Sequence, residues 1–178
     1  MNKLAKFFLI NLILALYAIN LNAQVHWYTI EEALEKNKKE PRKIIIDVYT
    51  DWCGWCKVME KNTFNNLIIA EYLNKKFYPV KFNAEQKEDI KIGDKVFKYV
   101  SSGMRGYHEL AAALLQGQLS YPSIVFLDEN LGLIYISRGY VQAPQFDMIS
   151  KYIGENHYKN IKWEEFTNIY KSPFNENK

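Results

Sequence analysis

Cysteine is nearly absent from this chain of 178 residues, which has two. So few exclude a fold stapled by disulfides. Histidine is also scarce. His26, His108 and His157 are too dispersed to join the cysteines in a short-spaced ligand set, so no metal is expected. Neither sign of charge dominates, with 23 basic against 20 acidic residues, which leaves no electrostatic case for nucleic acid. Internal repeats and low-complexity tracts are absent.

The first 23 residues read as a secretory signal. Lys3 and Lys6 give a positive start, Phe7 to Leu21 is mainly apolar, and Leu21-Asn22-Ala23 ends on a small residue. Asn11 and Asn20 interrupt the apolar stretch, which argues for cleavage after Ala23 over a retained membrane anchor. No cysteine follows it, so there is no lipoprotein attachment site. This reading places the protein in the periplasm. Removing 23 of 178 residues leaves 155, a single-domain length at 24–178 that can bury roughly 70% of its unfolded surface. The segment carries two of the 23 basic residues and no acid. The remainder therefore has 21 basic against 20 acidic groups, a net +1.

Along the mature chain, residues 29–40 read as a helix with Ile30, Ala33 and Leu34 on one face and a charged, solvated end. Pro41 then breaks the chain. Ile44 to Tyr49 reads as a buried strand. A helix opens at the cysteines and runs to about Asn62, and another spans Asn65–Lys75. Phe77–Phe82 is a strand. Residues 84–120 read as irregular, with one short helix at Tyr107–Gln116. Strands at Ser123–Leu127 and Leu133–Ser137 flank a turn and predict an antiparallel hairpin. Helices follow near Gln145–Ile153 and Trp163–Tyr170. This order predicts an α/β fold with a mixed central sheet and helices on both faces.

The two cysteines form a Cys53-Gly54-Trp55-Cys56 motif where strand passes into helix. A helix start carries unpaired N–H groups and a partial positive charge. A Cys53 thiolate is stabilised there, below its free pKa of roughly 8.5. Residues i and i+3 share a helix face, so Cys56 comes within reach. Cys53 is expected to be the exposed attacking thiolate and Cys56 the more buried resolving thiol. A ring this short constrains the unfolded chain little, which favours a redox switch over a structural crosslink.

The segment DVYTDWCGWCKVMEKNTF at 47–64 resembles the thioredoxin-fold superfamily. Within it, the chain is most similar to the C-terminal thioredoxin-like domain of the transmembrane thiol:disulfide interchange reductases. YPSIVFLDENLGLI at 121–134 and RGY at 138–140 support this. The likeness covers a core of about 40–155. It leaves a helical insertion before the strand that follows Pro122, and a C-terminal helical extension at 156–178. It implies that Cys53 is the nucleophile, that Cys56 resolves, and that the Tyr121–Pro122 bond is cis and lies beside the disulfide. Gly-Trp stands between the cysteines in place of the thioredoxin Gly-Pro. The insertion at 93–118 is a candidate for partner selection.

The resemblance also ranks the surrounding residues. Asp47 is a carboxylate in an apolar strand, where similar domains place an acid under the disulfide to tune the thiol or relay a proton; a structural hydrogen-bonding role is the alternative. Glu60 stands where those domains carry an acid. Lys81 matches the lysine that approaches the buried acid, with solvated surface as the alternative. Asp51 and Lys57 flank the site with opposing effects on a thiolate. Trp52, Gly54, Trp55, Tyr121 and Pro122 form an expected substrate-binding rim, with Trp55 exposed and Trp52 packed. His108 lies in the insertion at an expected solvated helix position.

The expected activity is thiol:disulfide exchange that reduces protein disulfides through the Cys53/Cys56 dithiol. An oxidant or isomerase, and a non-catalytic thioredoxin-fold interaction module, are the alternatives. No cofactor beyond the redox-active Cys53–Cys56 disulfide is implied. The expected partners are protein thiols and disulfides and a separate electron donor. The resemblance points to a membrane thiol:disulfide interchange protein as that donor.

Overall fold

A computed structural model describes residues 24–175 apart from residue 104. The segment read as a signal, 1–23, and the final three positions of the extension lie outside the described residues.

Helix α1 (Ile30–Lys39) starts at a capping box. Thr29 accepts from the Glu32 amide, and the Glu32 carboxylate accepts from the Thr29 amide. Such a cap contributes about 1 kcal/mol. Strand β1 (Lys43–Tyr49) follows. Helix α2 (Gly54–Met59) passes directly into a π-helical turn at Glu60–Phe64, where the Asn65 amide donates to the Glu60 carbonyl. The sequence predicted one ordinary helix to about Asn62, and no residue pattern marks the wider turn. Asn66 caps α3 (Leu67–Lys76) through the amides of Ile68 and Ile69. Strand β2 (Phe77–Asn83) comes next.

The stretch 84–120, which contains the insertion, is more ordered than expected. It holds β3 (Ile90–Ile92) paired with β4 (Lys95–Phe97), then β5 (Tyr99–Val100) paired with β6 (Tyr107–His108). Helix α4 (Glu109–Leu114) is shorter than predicted because Tyr107 and His108 belong to β6. These strands have two or three residues each, too few for an alternating pattern to be visible. Strands β7 (Ser123–Leu127) and β8 (Leu133–Arg138) form the expected hairpin. In its turn, Asp128 accepts from the amides of Asn130 and Gly132. Helix α5 (Ala143–Gly154) and helix α6 (Trp163–Ile169) complete the elements.

The central sheet runs β2-β1-β7-β8, with β1 parallel to β2 and antiparallel to β7. Side chains alternate between its faces. Ile44, Ile46 and Val48 point toward α1 and α4, where Ile30, Ala33, Leu110 and Ala111 cover them. Ile45 points the other way, into a cluster with Met59, Phe64, Leu73, Phe126 and Phe146 under α2, α3 and α5. Both faces of β1 are therefore buried, and the triple isoleucine run follows from that. The extension docks on α5 through aromatic contacts. Trp163 and Phe166 lie 5.1 and 5.0 Å from the Tyr152 ring, and the Tyr170 and Ser172 hydroxyls donate to the buried Asp147 carboxylate.

Candidate active site

The end of β1 and the start of α2 position the two sulfurs. The Cys53 amide donates to the Thr50 carbonyl in the connecting turn, and Cys53 is the N-cap of α2. Its sulfur accepts from the Cys56 amide at 3.1 Å. This is the helix-terminus environment that the motif predicts, and it favours negative charge on Cys53. Cys53 and Cys56 are joined by a disulfide, with Cα atoms 5.3 Å apart.

The expected difference in exposure is corrected. Cys53 is 4% exposed and Cys56 is 6% exposed, so both are buried in the oxidised pair. Their asymmetry is one of position on the helix, cap against first turn, and not of solvent access.

Asp47 is 2% exposed. Strand register explains its partner, because Asp47 and Lys81 stand opposite each other on the parallel strands β1 and β2. Lys81 Nζ lies 2.7 Å from Asp47 Oδ2 and also contacts the Glu60 carboxylate. Lys81 is thus an ion-pair member and not solvated surface. Glu60 is the first residue of the π-helical turn. The other Asp47 oxygen, Oδ1, is buried without a hydrogen-bond partner. Burial pushes the Asp47 carboxyl above the usual carboxylate range, against the pull of Lys81. Burial alone would lower the Lys81 pKa, but the Asp47 and Glu60 carboxylates outweigh it and raise it. Cys56, Glu60 and Lys81 line one open cleft together with Thr50 and Tyr49.

An aromatic cage around Lys81 is not foreseen from the residue pattern. Its ammonium lies 4.9 Å from the centre of the Trp27 ring, 5.2 Å from Tyr49 and 5.6 Å from Phe64. These contacts shield and orient the cation. Trp27 precedes the first helix and is distant in sequence, so only the fold brings it here.

The rim residues come together on the surface. Trp55 is 62% exposed and Trp52 51% exposed, so Trp52 is not packed away as expected. Trp52 Nε1 donates to Glu85 at 2.9 Å, and its ring meets Tyr121 edge-on at 6.0 Å. The Tyr121–Pro122 bond is cis. Trp55, Tyr121, Pro122, Gly139 and Tyr140 line one shallow groove. Gly54 opens onto free space, since a Cβ there would meet nothing within 4 Å. Burial pushes the Tyr121 phenol up, and the Glu85 charge adds to it.

His108 is corrected as well. It is fully buried, caps α4 by accepting the Leu110 amide on Nδ1, and places Nε2 3.1 Å from the Glu88 carbonyl. Among the described residues, no group of three or more His, Cys, Asp or Glu side chains is arranged to hold a metal ion.

A mixed sheet between two helical layers, with a cysteine pair at the start of the helix after β1 and a cis proline before β7, defines a thioredoxin-fold protein with a disulfide-oxidoreductase-like site. The chain belongs to the family described as Thioredox_DsbH, "Protein of unknown function, DUF255", which matches residues 15–153. The superfamily resemblance carried by residues 47–64 and 121–140 is thereby borne out.

An uncharacterized protein of Caenorhabditis elegans is 34% identical over 87 residues, 48% of this chain and 12% of that protein. Spermatogenesis-associated protein 20 of Rattus norvegicus is 38% identical over 74 residues, 41% of this chain and 9% of that protein. The aligned part is thus a small fraction of these curated relatives. A thioredoxin-fold protein from Helicobacter pylori superposes with a TM-score of 0.54 at 17% identity, covering 73% of this chain and 87% of that one, a likeness of fold alone. The expected periplasmic location is corrected by the named curated relatives, which come from animals, organisms without a periplasm.

Proposed function

We propose that the protein is a thiol:disulfide oxidoreductase that reduces protein disulfides through Cys53 and Cys56. The observation that supports this most is the placement of Cys53 at the helix cap, bonded to Cys56 one turn on. In the reduced protein, the Cys53 thiolate attacks a substrate disulfide. One substrate sulfur leaves as a thiolate, and a mixed disulfide forms. Cys56 then loses its proton and attacks Cys53, releasing the second substrate sulfur. Two electrons pass to the substrate, which takes up two protons, and the Cys53–Cys56 bond closes.

In this reading Asp47 accepts the Cys56 proton, and Lys81 with Glu60 connects Asp47 to solvent along their shared cleft. Burial raises the Asp47 pKa, which makes its carboxylate a stronger proton acceptor than an exposed one. Trp52, Gly54, Trp55, Tyr121 and Pro122 form the surface on which a substrate strand lies. A separate dithiol protein must re-reduce the pair after each turnover.

Trapping tests this reading. In Cys56→Ser, Cys53 still attacks but nothing resolves the adduct. Mixed disulfides with cellular proteins should accumulate and disappear with dithiothreitol. A Cys56→Ser protein that traps nothing while the native chain still binds a partner would instead support a non-catalytic module.

A further inference from the structure

The insertion reaches back to the cysteines through one side chain. Trp52, next to Cys53, is gripped from three sides. Glu85 accepts its indole N–H, Tyr121 meets its edge, and the Arg105 guanidinium stands 4.4 Å over its ring. Arg105 is exposed. Among the described residues it makes no ion pair. The two acids nearby are engaged, Glu85 with the indole and Asp51 with the Asn83 amide at 3.1 Å. A guanidinium stacked on a ring keeps its N–H donors free along its edge, in the fork that matches a carboxylate. Tyr121 both touches Trp52 and lines the groove beside Pro122. A peptide in that groove therefore brings the side chains flanking its cysteine toward Arg105.

We propose that Arg105, held over Trp52, forms a subsite for acidic side chains, so that disulfides flanked by Asp or Glu are the preferred substrates. This rests on the dithiol reading above and names its substrate class. Asp51 and Glu85 oppose an acidic substrate, but at longer range than a carboxylate paired directly with the guanidinium, and Coulomb energy falls with distance.

The test uses the full chain, reduced with dithiothreitol and desalted. Its substrates are disulfide-linked homodimers of a one-cysteine peptide carrying Asp, Asn or Lys beside the cysteine. The readout is the ratio of the Asp rate to the Lys rate, compared between native protein and variants so that each peptide's own reactivity cancels. Native protein should show a ratio about two- to fivefold above that of Arg105→Ala. Arg105→Glu should lower it further, and Arg105→Lys, which keeps the charge but not the fork, should restore only part of it. The gap should shrink in about 0.5 M salt. Equal ratios in all four proteins overturn the proposal. A common drop for all three peptides in Arg105→Ala also overturns it, since Arg105 would then act only through Trp52 packing. If native protein reduces none of the peptides, the dithiol reading itself fails and the subsite falls with it.

Discussion

Lys81 Nζ lies 2.7 Å from Asp47 Oδ2, while the second Asp47 oxygen is buried with no partner. One cation therefore carries most of the compensation for a carboxylate inside a sheet. Lys81→Met removes it. Burial already raises the Asp47 pKa, so the native state is penalised as pH rises from the unfolded value of about 3.9 through the native one. Without Lys81 the native value rises further and the penalised window widens. We expect a stability loss of about 3 kcal/mol near pH 8 that shrinks toward zero below about pH 4, where Asp47 is neutral in both states. Urea unfolding at the two pH values measures this. An equal loss at both would show that Lys81 acts through packing alone.

Asp47→Asn tests the proton step. The side chain keeps its shape and loses its basicity. Disulfide exchange near neutral pH should slow by on the order of 10²-fold, and the rate should lose its inflection at the raised Asp47 pKa. An unchanged pH–rate profile removes Asp47 from the mechanism and leaves it a structural partner of Lys81.

Alkylation of the reduced protein separates the two thiols. Solvent access does not distinguish them, since both are buried in the disulfide form. The helix cap does, so Cys53 should be labelled about tenfold faster near pH 6, where only a stabilised thiolate is populated. Peptide mapping after a short iodoacetamide pulse reads this. Faster labelling of Cys56 would reverse the assigned roles.

His108 ties the insertion to its neighbours by capping α4 and reaching the Glu88 carbonyl. His108→Ala should cost about 1–2 kcal/mol locally. Amide hydrogen exchange should rise across residues 107–116 and stay unchanged in β1 and β7. Uniform acceleration over the whole chain would mean that His108 supports the global core instead.

The central strands and the cysteine helix were legible because their cause is local. Ile44, Ile45 and Ile46 alternate between two buried faces, and Cys53 sits where strand chemistry gives way to helix. Ile30, Ala33 and Leu34 likewise announce α1 by their spacing. The Asp47–Lys81 pair was half legible. An acid in an apolar run demands a partner, and the resemblance pointed to Lys81 with solvated surface as the alternative; strand register decides between them. Trp27, Arg105 and the buried His108 were not legible, because each acts across a long stretch of chain that the fold alone closes. The short strands of the insertion escaped notice because two or three residues cannot display a period.

The equilibrium between the Cys53–Cys56 disulfide and the free dithiol decides the direction of exchange. Titrating the full chain in glutathione and dithiothreitol buffers, with the two redox forms separated by thiol alkylation, measures it. A reversible two-electron transition near the thioredoxin value of roughly −270 mV is the predicted result. A midpoint near roughly −120 mV, the range of a strong oxidant, would contradict the reducing direction.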